Sequence, residues 1–125
     1  MHAFVLQEWT TIRSGGATVT QSEQEWLDLE PYQDVTFWLQ VSEVSGSTTP
    51  TLTYQTSPTL DEPIFQAMTT GLALAASASP VVTQVFMLSA TVPLARYVRW
   101  QLTVGGAASY DATFRIMVAA NSPGL

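Results

Sequence analysis

The residue types that most often carry catalysis are scarce in this chain of 125 residues. It has one histidine, His2, and no cysteine. A Ser-His-Asp triad, a Cys-His pair or a zinc site of two histidines would therefore need residues from a second chain. The glycine pairs Gly15-Gly16 and Gly105-Gly106 do not match a phosphate-binding loop and are interpreted as turn formers. We predict no catalytic residue, no metal ligand and no cofactor, and hence a protein that is not an enzyme.

Carboxylates are the remaining groups that could do chemistry. Asp28, Glu30 and Asp34 lie close together around a predicted turn, and Asp61-Glu62 lies in another. Glycosidases use a pair of carboxylates as catalytic groups, and calcium ions are bound by oxygen atoms from loops. The acidic residues lack the dense Asp/Asn/Gly spacing of a calcium loop. We interpret them as solvated side chains at turns, with a structural calcium ion or a two-carboxylate site as the alternatives.

Aromatic residues are the candidates for binding a partner. Trp38 alternates with Phe37 and Leu39, so it faces the opposite side of its predicted strand. It is expected to be buried against a second surface such as another subunit, or else to form an exposed platform for a ligand. Near the start of the chain, Phe4, Leu6 and Trp9 could likewise contact a neighbouring molecule. The predicted interface residues are therefore Phe4, Leu6, Trp9 and Trp38.

The elements that would position these side chains are strands. Two segments near the end, Ala95–Val104 and Ala112–Ala119, alternate apolar and polar residues with a period of two. Joined by a glycine-containing turn, they predict a β-hairpin. Arg99 and Arg115 then lie on a solvated sheet face, across the hairpin from acceptors such as Gln101 or Thr113.

Strand-like runs of this kind recur at intervals of roughly 8–12 residues, the spacing typical of a sandwich or barrel. We predict an all-β protein, a jelly-roll-like antiparallel β-sandwich of about eight strands, forming a single domain over residues 1–125. Residues 1–20 are either its first strand or an N-terminal arm that docks on a neighbour, and residues 121–125 are a frayed tail. The Ala-rich segment Leu72–Ser79 is expected to be a loop or one helical turn. The other predicted strands are Phe4–Trp9, Ala17–Gln21, Gln24–Leu29, Asp34–Glu43, Thr51–Thr56, Ile64–Met68 and Val81–Leu88.

Composition narrows the classes of partner. The net charge is -6, with four arginines and no lysine, which argues against binding nucleic acid. Prolines interrupt the candidate membrane span Gly71–Leu94, and no signal peptide is apparent, so no membrane association is expected. Only 11% of residues are charged, and none between Glu62 and Arg96. Because large uncharged surfaces often mark interaction sites, we predict a homo-oligomer or a larger assembly.

Three segments together resemble a known group of proteins: Val35–Val41, Pro50–Pro58 and Ala95–Val104, the last containing Arg-Tyr-Val-Arg. They resemble the galactose-binding, discoidin-like jelly roll, and more closely the small jelly-roll structural proteins of tailed-bacteriophage particles. That resemblance implies a virion protein assembled in the host cytoplasm, such as a capsid decoration or a head- or tail-associated protein. Its implied partners are copies of itself and other virion proteins such as a major capsid protein.

A carbohydrate-binding module for glycan adhesion is the alternative function. It follows from the discoidin-like pattern and from the aromatic residues, of which Trp38 and Tyr110 would form the platform. Because the motifs carry packing and not chemistry, the resemblance transfers no catalytic residue.

Overall fold

In a computed structural model, which describes residues 2–87, 90–105 and 108–122, the chain folds into two packed antiparallel β-sheets. The described residues contain ten strands, two short 3-10 turns at Glu23–Glu25 and Glu62–Ile64, and no α-helix. The strands are β1 (His2–Ser14), β2 (Val19–Thr20), β3 (Leu27–Asp28), β4 (Asp34–Gly46), β5 (Thr51–Ser57), β6 (Gln66–Ala67), β7 (Leu72–Ala73), β8 (Val81–Val85), β9 (Tyr97–Thr103) and β10 (Tyr110–Asn121).

The strand order is that of a jelly roll. Sheet 1 has the order β1-β10-β4-β8, and sheet 2 has the order β2-β9-β5-β6. In sheet 2, β3 also pairs with β9, and β7 also pairs with β5. The two-residue strands β2 and β3 therefore share one strand position, as do β6 and β7. Each sheet then has four positions, which confirms the predicted all-β, jelly-roll-like sandwich of about eight strands.

Period-two alternation assigns the core correctly. On β4, Val35, Phe37, Leu39 and Val41 are buried between the sheets. The alternate residues of β9 (Val98, Trp100 and Leu102) and of β10 (Ala112, Phe114, Ile116 and Val118) are buried as well. Between the sheets, the Phe37 ring from sheet 1 stacks on the Tyr54 ring from sheet 2, with centroids 3.9 Å apart. These apolar faces hold the two layers together.

The predicted hairpin between the last two long strands is wrong. β9 lies in sheet 2, where it pairs with β5, whereas β10 lies in sheet 1 between β1 and β4. The chain between them therefore crosses from one sheet to the other. Of the glycine pair in that connection, Gly106 lies outside the described residues.

The first segment of the chain is a long edge strand. β1 pairs with β10 from His2 to Ser14, with irregularities on either side of Gln7. Gln7 is buried and its Oε1 accepts a hydrogen bond of 3.1 Å from Trp100 Nε1, which links β1 to sheet 2. At the other end, β10 continues to Asn121, while the final residues 123–125 of the predicted frayed tail lie outside the described part.

The Leu72–Ser79 segment, expected to be a loop or a helical turn, contributes the two-residue strand β7, and no helix forms there. A glycine is required elsewhere, at the end of β4. Gly46 pairs with Tyr110 at a φ of 126°. A Cβ atom at this position would lie 2.5 Å from the Ser109 carbonyl oxygen.

Candidate functional site

The acidic residues around the first predicted turn form an exposed ion-pair cluster. Arg96 Nη2 lies 3.0 Å from Asp28 Oδ2 and 3.3 Å from Glu30 Oε2. Hydrogen bonding to Arg96 lowers the pKa of the Asp28 carboxyl. Asp34 lies apart from this cluster and accepts a hydrogen bond of 2.7 Å from the Met87 backbone N–H. Asp28 and Glu30 are thus both paired with the Arg96 guanidinium at the surface. This arrangement is typical of charged side chains at a turn and not of a pair of catalytic carboxylates.

The described residues hold no group of three or more His, Asp or Glu side chains arranged to bind a metal ion. They also enclose no pocket. The His2 ring packs edge-on against the Tyr32 ring, with centroids 5.4 Å apart. Across residues 2–87, 90–105 and 108–122, no helix is long and apolar enough to span a membrane. The surface that remains to be considered is the flat outside of each sheet.

The outer face of sheet 1 carries a row of apolar side chains that crosses all four strands. Strand register places Val5 opposite Met117, Met117 opposite Trp38, and Trp38 opposite Val82. Trp38 and Met117 alternate with buried neighbours, so they point away from the core, and Val5 and Val82 lie level with them in register. We call Val5, Met117, Trp38 and Val82 the apolar row. Val5 is 39% exposed and Val82 48% exposed, while Trp38 and Met117 are half-buried by their neighbours.

Trp9 and Arg115 extend the apolar row toward the other end of the sheet. The Arg115 guanidinium carbon lies 5.1 Å from the centre of the Trp9 ring, a cation–π arrangement. Arg115 Nε also donates a hydrogen bond to Gln40 Oε1 on the neighbouring strand. Trp9 remains 47% exposed despite these contacts. A tryptophan beside an ordered arginine is the composition that protein interfaces favour.

The structure separates the four residues that the sequence grouped as an interface. Trp9 and Trp38 lie on the outer face of sheet 1 and remain available to a partner. Leu6 is only 2% exposed and belongs to the hydrophobic core, so its side chain cannot reach another molecule. Phe4 is half-buried, packs against the core and meets the Tyr32 ring at 5.6 Å.

Exposed apolar residues concentrate on sheet 1. Among the described residues, eight large hydrophobic side chains are exposed, and six of them lie on β1 or β8 or directly after β8. The two exceptions, Leu60 and Ile64, lie in the loop after β5. The six on or directly after these strands are Val5, Trp9, Val81, Val82, Phe86 and Met87.

Part of the outer face of sheet 2, around Arg99, is covered by the chain itself. Arg99 was predicted to lie on a solvated face, but it is only 3% exposed. Its guanidinium carbon lies 4.0 Å from the centre of the Phe65 ring and 5.1 Å from that of Trp26. Its Nε donates a 2.8 Å hydrogen bond to Gln55 Oε1 on β5, and not to an acceptor across the predicted hairpin. Burial lowers the pKa of Arg99, although the carboxylate of Glu62 opposes this effect.

Sequence reasoning missed this buried arginine because Trp26 and Phe65 come from two distant turns. Nothing in the alternation of β9 distinguishes a solvated Arg99 from a covered one. The available signal was the pairing of an aromatic residue with each of two short turn segments, Glu23–Trp26 and Glu62–Phe65.

No family model matches the sequence, and no curated protein matches it. Solved structures of viral chains align with it. A chain in the structure of infectious bursal disease virus, Gx strain, aligns over 98% of this chain and 33% of its own length, with a TM-score of 0.51 and 14% identity. A chain in the crystal structure of the infectious bursal disease virus VP2 subviral particle aligns over 97% of this chain and 32% of its own, with a TM-score of 0.48 and 12% identity.

This chain thus spans about one third of the length of the viral chains whose fold it resembles. The likeness is to chains of infectious bursal disease virus and not to proteins of tailed bacteriophages in particular. At 14% identity, the first alignment establishes a shared fold.

Proposed function

We propose that this chain is a virion structural protein without catalytic activity, which packs against copies of itself and other proteins of the particle. The observation that carries the proposal is the uncovered outer face of sheet 1. Sheet 2 buries its own outward Arg99 under Trp26 and Phe65, whereas Trp9 and the apolar row of sheet 1 meet no such cover in the described residues.

The size of this face suits a protein–protein contact. Twelve residue pairs join β10 to β4. At ~3.4 Å per residue and ~4.8 Å between strands, a four-stranded face of that length covers at most roughly 800 Å². That is about the area each partner contributes to a standard protein–protein interface. A sheet face is also flat, which suits a second protein surface better than a small molecule, whose sites are concave.

Charge supports assembly as well. The apolar row itself carries no formal charge, and the Arg115 guanidinium beside Trp9 is hydrogen-bonded to Gln40. A surface of this kind loses little charge solvation when it is covered. In a particle the same contact recurs many times, so that weak single contacts add through multivalency.

The fold gives independent support. Its likeness to a chain of infectious bursal disease virus shows that this two-sheet arrangement occurs in virus particles. Within that class, we propose a capsid decoration or a head- or tail-associated protein, located in the virion. Its partners would be a second copy of the chain and a major capsid protein.

The test compares two variants that change equally exposed apolar residues. Trp9 is 47% exposed on sheet 1, and Leu60 is 48% exposed on the loop side. Size-exclusion chromatography with light scattering should show an assembly for the natural chain and for Leu60→Glu, and a loss of mass for Trp9→Glu. Co-expression with a major capsid protein that is its partner should yield particles that carry the natural chain. A strict monomer that never sediments with particles would refute the proposal.

A carbohydrate-binding module is the second candidate, and one observation favours it: the 47% exposed ring of Trp9. Tyr110 cannot contribute to such a platform because it is 1% exposed. Affinity electrophoresis in polysaccharide gels distinguishes the two functions. Retardation that disappears in Trp9→Ala or Trp38→Ala would favour glycan binding, and unretarded migration of the natural chain would exclude it for the polysaccharides used.

A further inference from the structure

The two edges of sheet 1 differ in how they are protected from pairing with another strand. The β1 edge runs for 13 residues and is interrupted by two register shifts. It also carries Glu8 and Arg13, which are both exposed. Bulges and charges are the devices that prevent an edge strand from adding a further strand. The β1 edge is therefore protected.

The β8 edge has neither device. β8 runs in unbroken register along β4, from Val81 opposite Leu39 to Val85 opposite Val35. In the described part of the chain no strand pairs with its other side. Val81 is 42% exposed and Val82 is 48% exposed. An apolar, uncharged and regular edge is a template for another strand.

We propose that β8 pairs with β8 of a second copy, antiparallel and about a twofold axis at Thr83. This inference rests on the proposed function, in which copies of the chain associate, and it identifies the edge through which two of them join. The register follows from the strand itself: centring on Thr83 pairs all five residues, with Val81 opposite Val85 of the second copy. Pro80, just before the strand, has no N–H and ends the pairing there.

The chain's charge favours a second copy at this edge. Two molecules of net charge -6 repel each other, so their contact should lie where the charges are absent. β8 lies within the segment between Glu62 and Arg96, which contains no charged residue. The carboxylate of Asp34 lies at the Met87 end of this edge. In the proposed dimer the two copies of Asp34 sit at opposite ends, ~20 Å apart along the strands and beyond the ~8 Å Debye length.

The pairing also connects the edge to the outer face. Joining two copies at β8 produces one continuous sheet of eight strands, since sheet 1 has four. Val82 ends the apolar row at this edge, so the rows of the two copies meet beside the twofold axis. The dimer therefore offers a partner protein one apolar surface of twice the length.

Because the natural chain contains no cysteine, single cysteines can test the register without background. In the proposed dimer the two Thr83 Cα atoms lie ~5 Å apart, within the range that a disulfide spans. The two Val81 Cα atoms lie ~14 Å apart, outside that range. After mild oxidation, Thr83→Cys should form at least ten times more covalent dimer on non-reducing gels than Val81→Cys.

Adding a charge at the edge gives a second measurement that does not depend on a disulfide. Val82→Lys in the Thr83→Cys background should reduce the covalent dimer at least tenfold, whereas Leu60→Lys, at the same 48% exposure, should not. Sedimentation velocity of the cysteine-free Val82→Lys and Leu60→Lys chains should show the same contrast. Circular dichroism checks that each variant is folded.

Equal cross-linking of Thr83→Cys and Val81→Cys, or no cross-linking of either, would overturn the inference. If the natural chain still forms assemblies that Trp9→Glu abolishes, the proposed function survives and only the β8 dimer is refuted. A third outcome is that Thr83→Cys forms a disulfide only with a cysteine introduced into another virion protein. That result would show that the β8 edge pairs with that protein and not with a second copy of this chain.

Discussion

Replacing Tyr54 by phenylalanine should stabilise this protein. Tyr54 is fully buried and stacks on Phe37 at an interplanar angle of 6°. Among the described residues, no group hydrogen-bonds its hydroxyl. Phenylalanine keeps the ring and its stacking but removes a buried polar group, whose desolvation costs about 1–3 kcal/mol. We expect the free energy of unfolding at pH 7 to rise by about 1–2 kcal/mol.

The same substitution should remove a specific alkaline dependence. Burial raises the pKa of the Tyr54 phenol above its ordinary value of 10.0. The stability of the natural chain should therefore be constant with respect to this group below pH 10 and should fall at higher pH, because the phenol ionises in the unfolded chain but not in the folded one. At pH 11 the natural chain should have lost about 1.4 kcal/mol more than Tyr54→Phe.

Urea denaturation followed by tryptophan fluorescence, from pH 7 to pH 11, measures both effects. Tyr97→Phe is the control, since Tyr97 is half-buried at the end of β9. Its unfolding free energy at pH 7 should change by less than about 0.5 kcal/mol. A Tyr54→Phe variant that is destabilised by more than about 1 kcal/mol would show that the hydroxyl has a strong partner, and would refute the reasoning.

Three further substitutions test single features of the fold, each by urea denaturation. Gly46→Ala should lower the free energy of unfolding by more than about 2 kcal/mol, because the residue has a positive φ and its Cβ would strike backbone atoms. Gly15→Ala is the control: the space around Gly15 is open, so its free energy of unfolding should change by less than about 0.5 kcal/mol. Arg99→Lys should lower the free energy of unfolding by about 1–3 kcal/mol, because lysine can neither stack a planar group on the Phe65 ring nor donate the Nε–H hydrogen bond. An unchanged urea midpoint would contradict this. Asp28→Asn should cost less than about 1 kcal/mol at pH 7. Because Arg96 lowers the pKa of Asp28 below 3.8, that difference should disappear near pH 2, and its persistence would exclude the ion pair as the cause.

The sequence was sufficient to predict which side chains of β4, β9 and β10 share one face, because a strand alternates strictly where its register does not shift. Phe37 and Leu39 on β4 and Trp100 on β9 are examples. It was not sufficient to predict which strands pair. A strand alternates in the same way whichever sheet it joins, so β9 and β10 read as a hairpin although they belong to opposite sheets. Strand order depends on contacts between residues far apart in sequence, and only the jelly-roll expectation contained that information.

The four residues predicted to form an interface occupy different environments for a related reason. Trp9 and Trp38 remain on the surface, but Leu6 enters the core at the register shift between Val5 and Gln7. Such shifts change which face a residue occupies, and a period-two reading cannot foresee them. The burial of Arg99 was missed because the two rings that cover it follow separate 3-10 turns and are far from β9 in sequence.

The two outer faces show why one side of the sandwich is the better candidate for assembly. In sheet 2, two loops place Trp26 and Phe65 over Arg99 and thereby bury the aromatic surface within the chain. In sheet 1, the long strands β4 and β10 are flanked by β1 and by the short β8, and none of the ring pairs among the described residues involves Trp38. A monomer would gain stability by covering this face as it covers the other. Leaving it open has a cost in solubility, which a partner surface would remove by binding there.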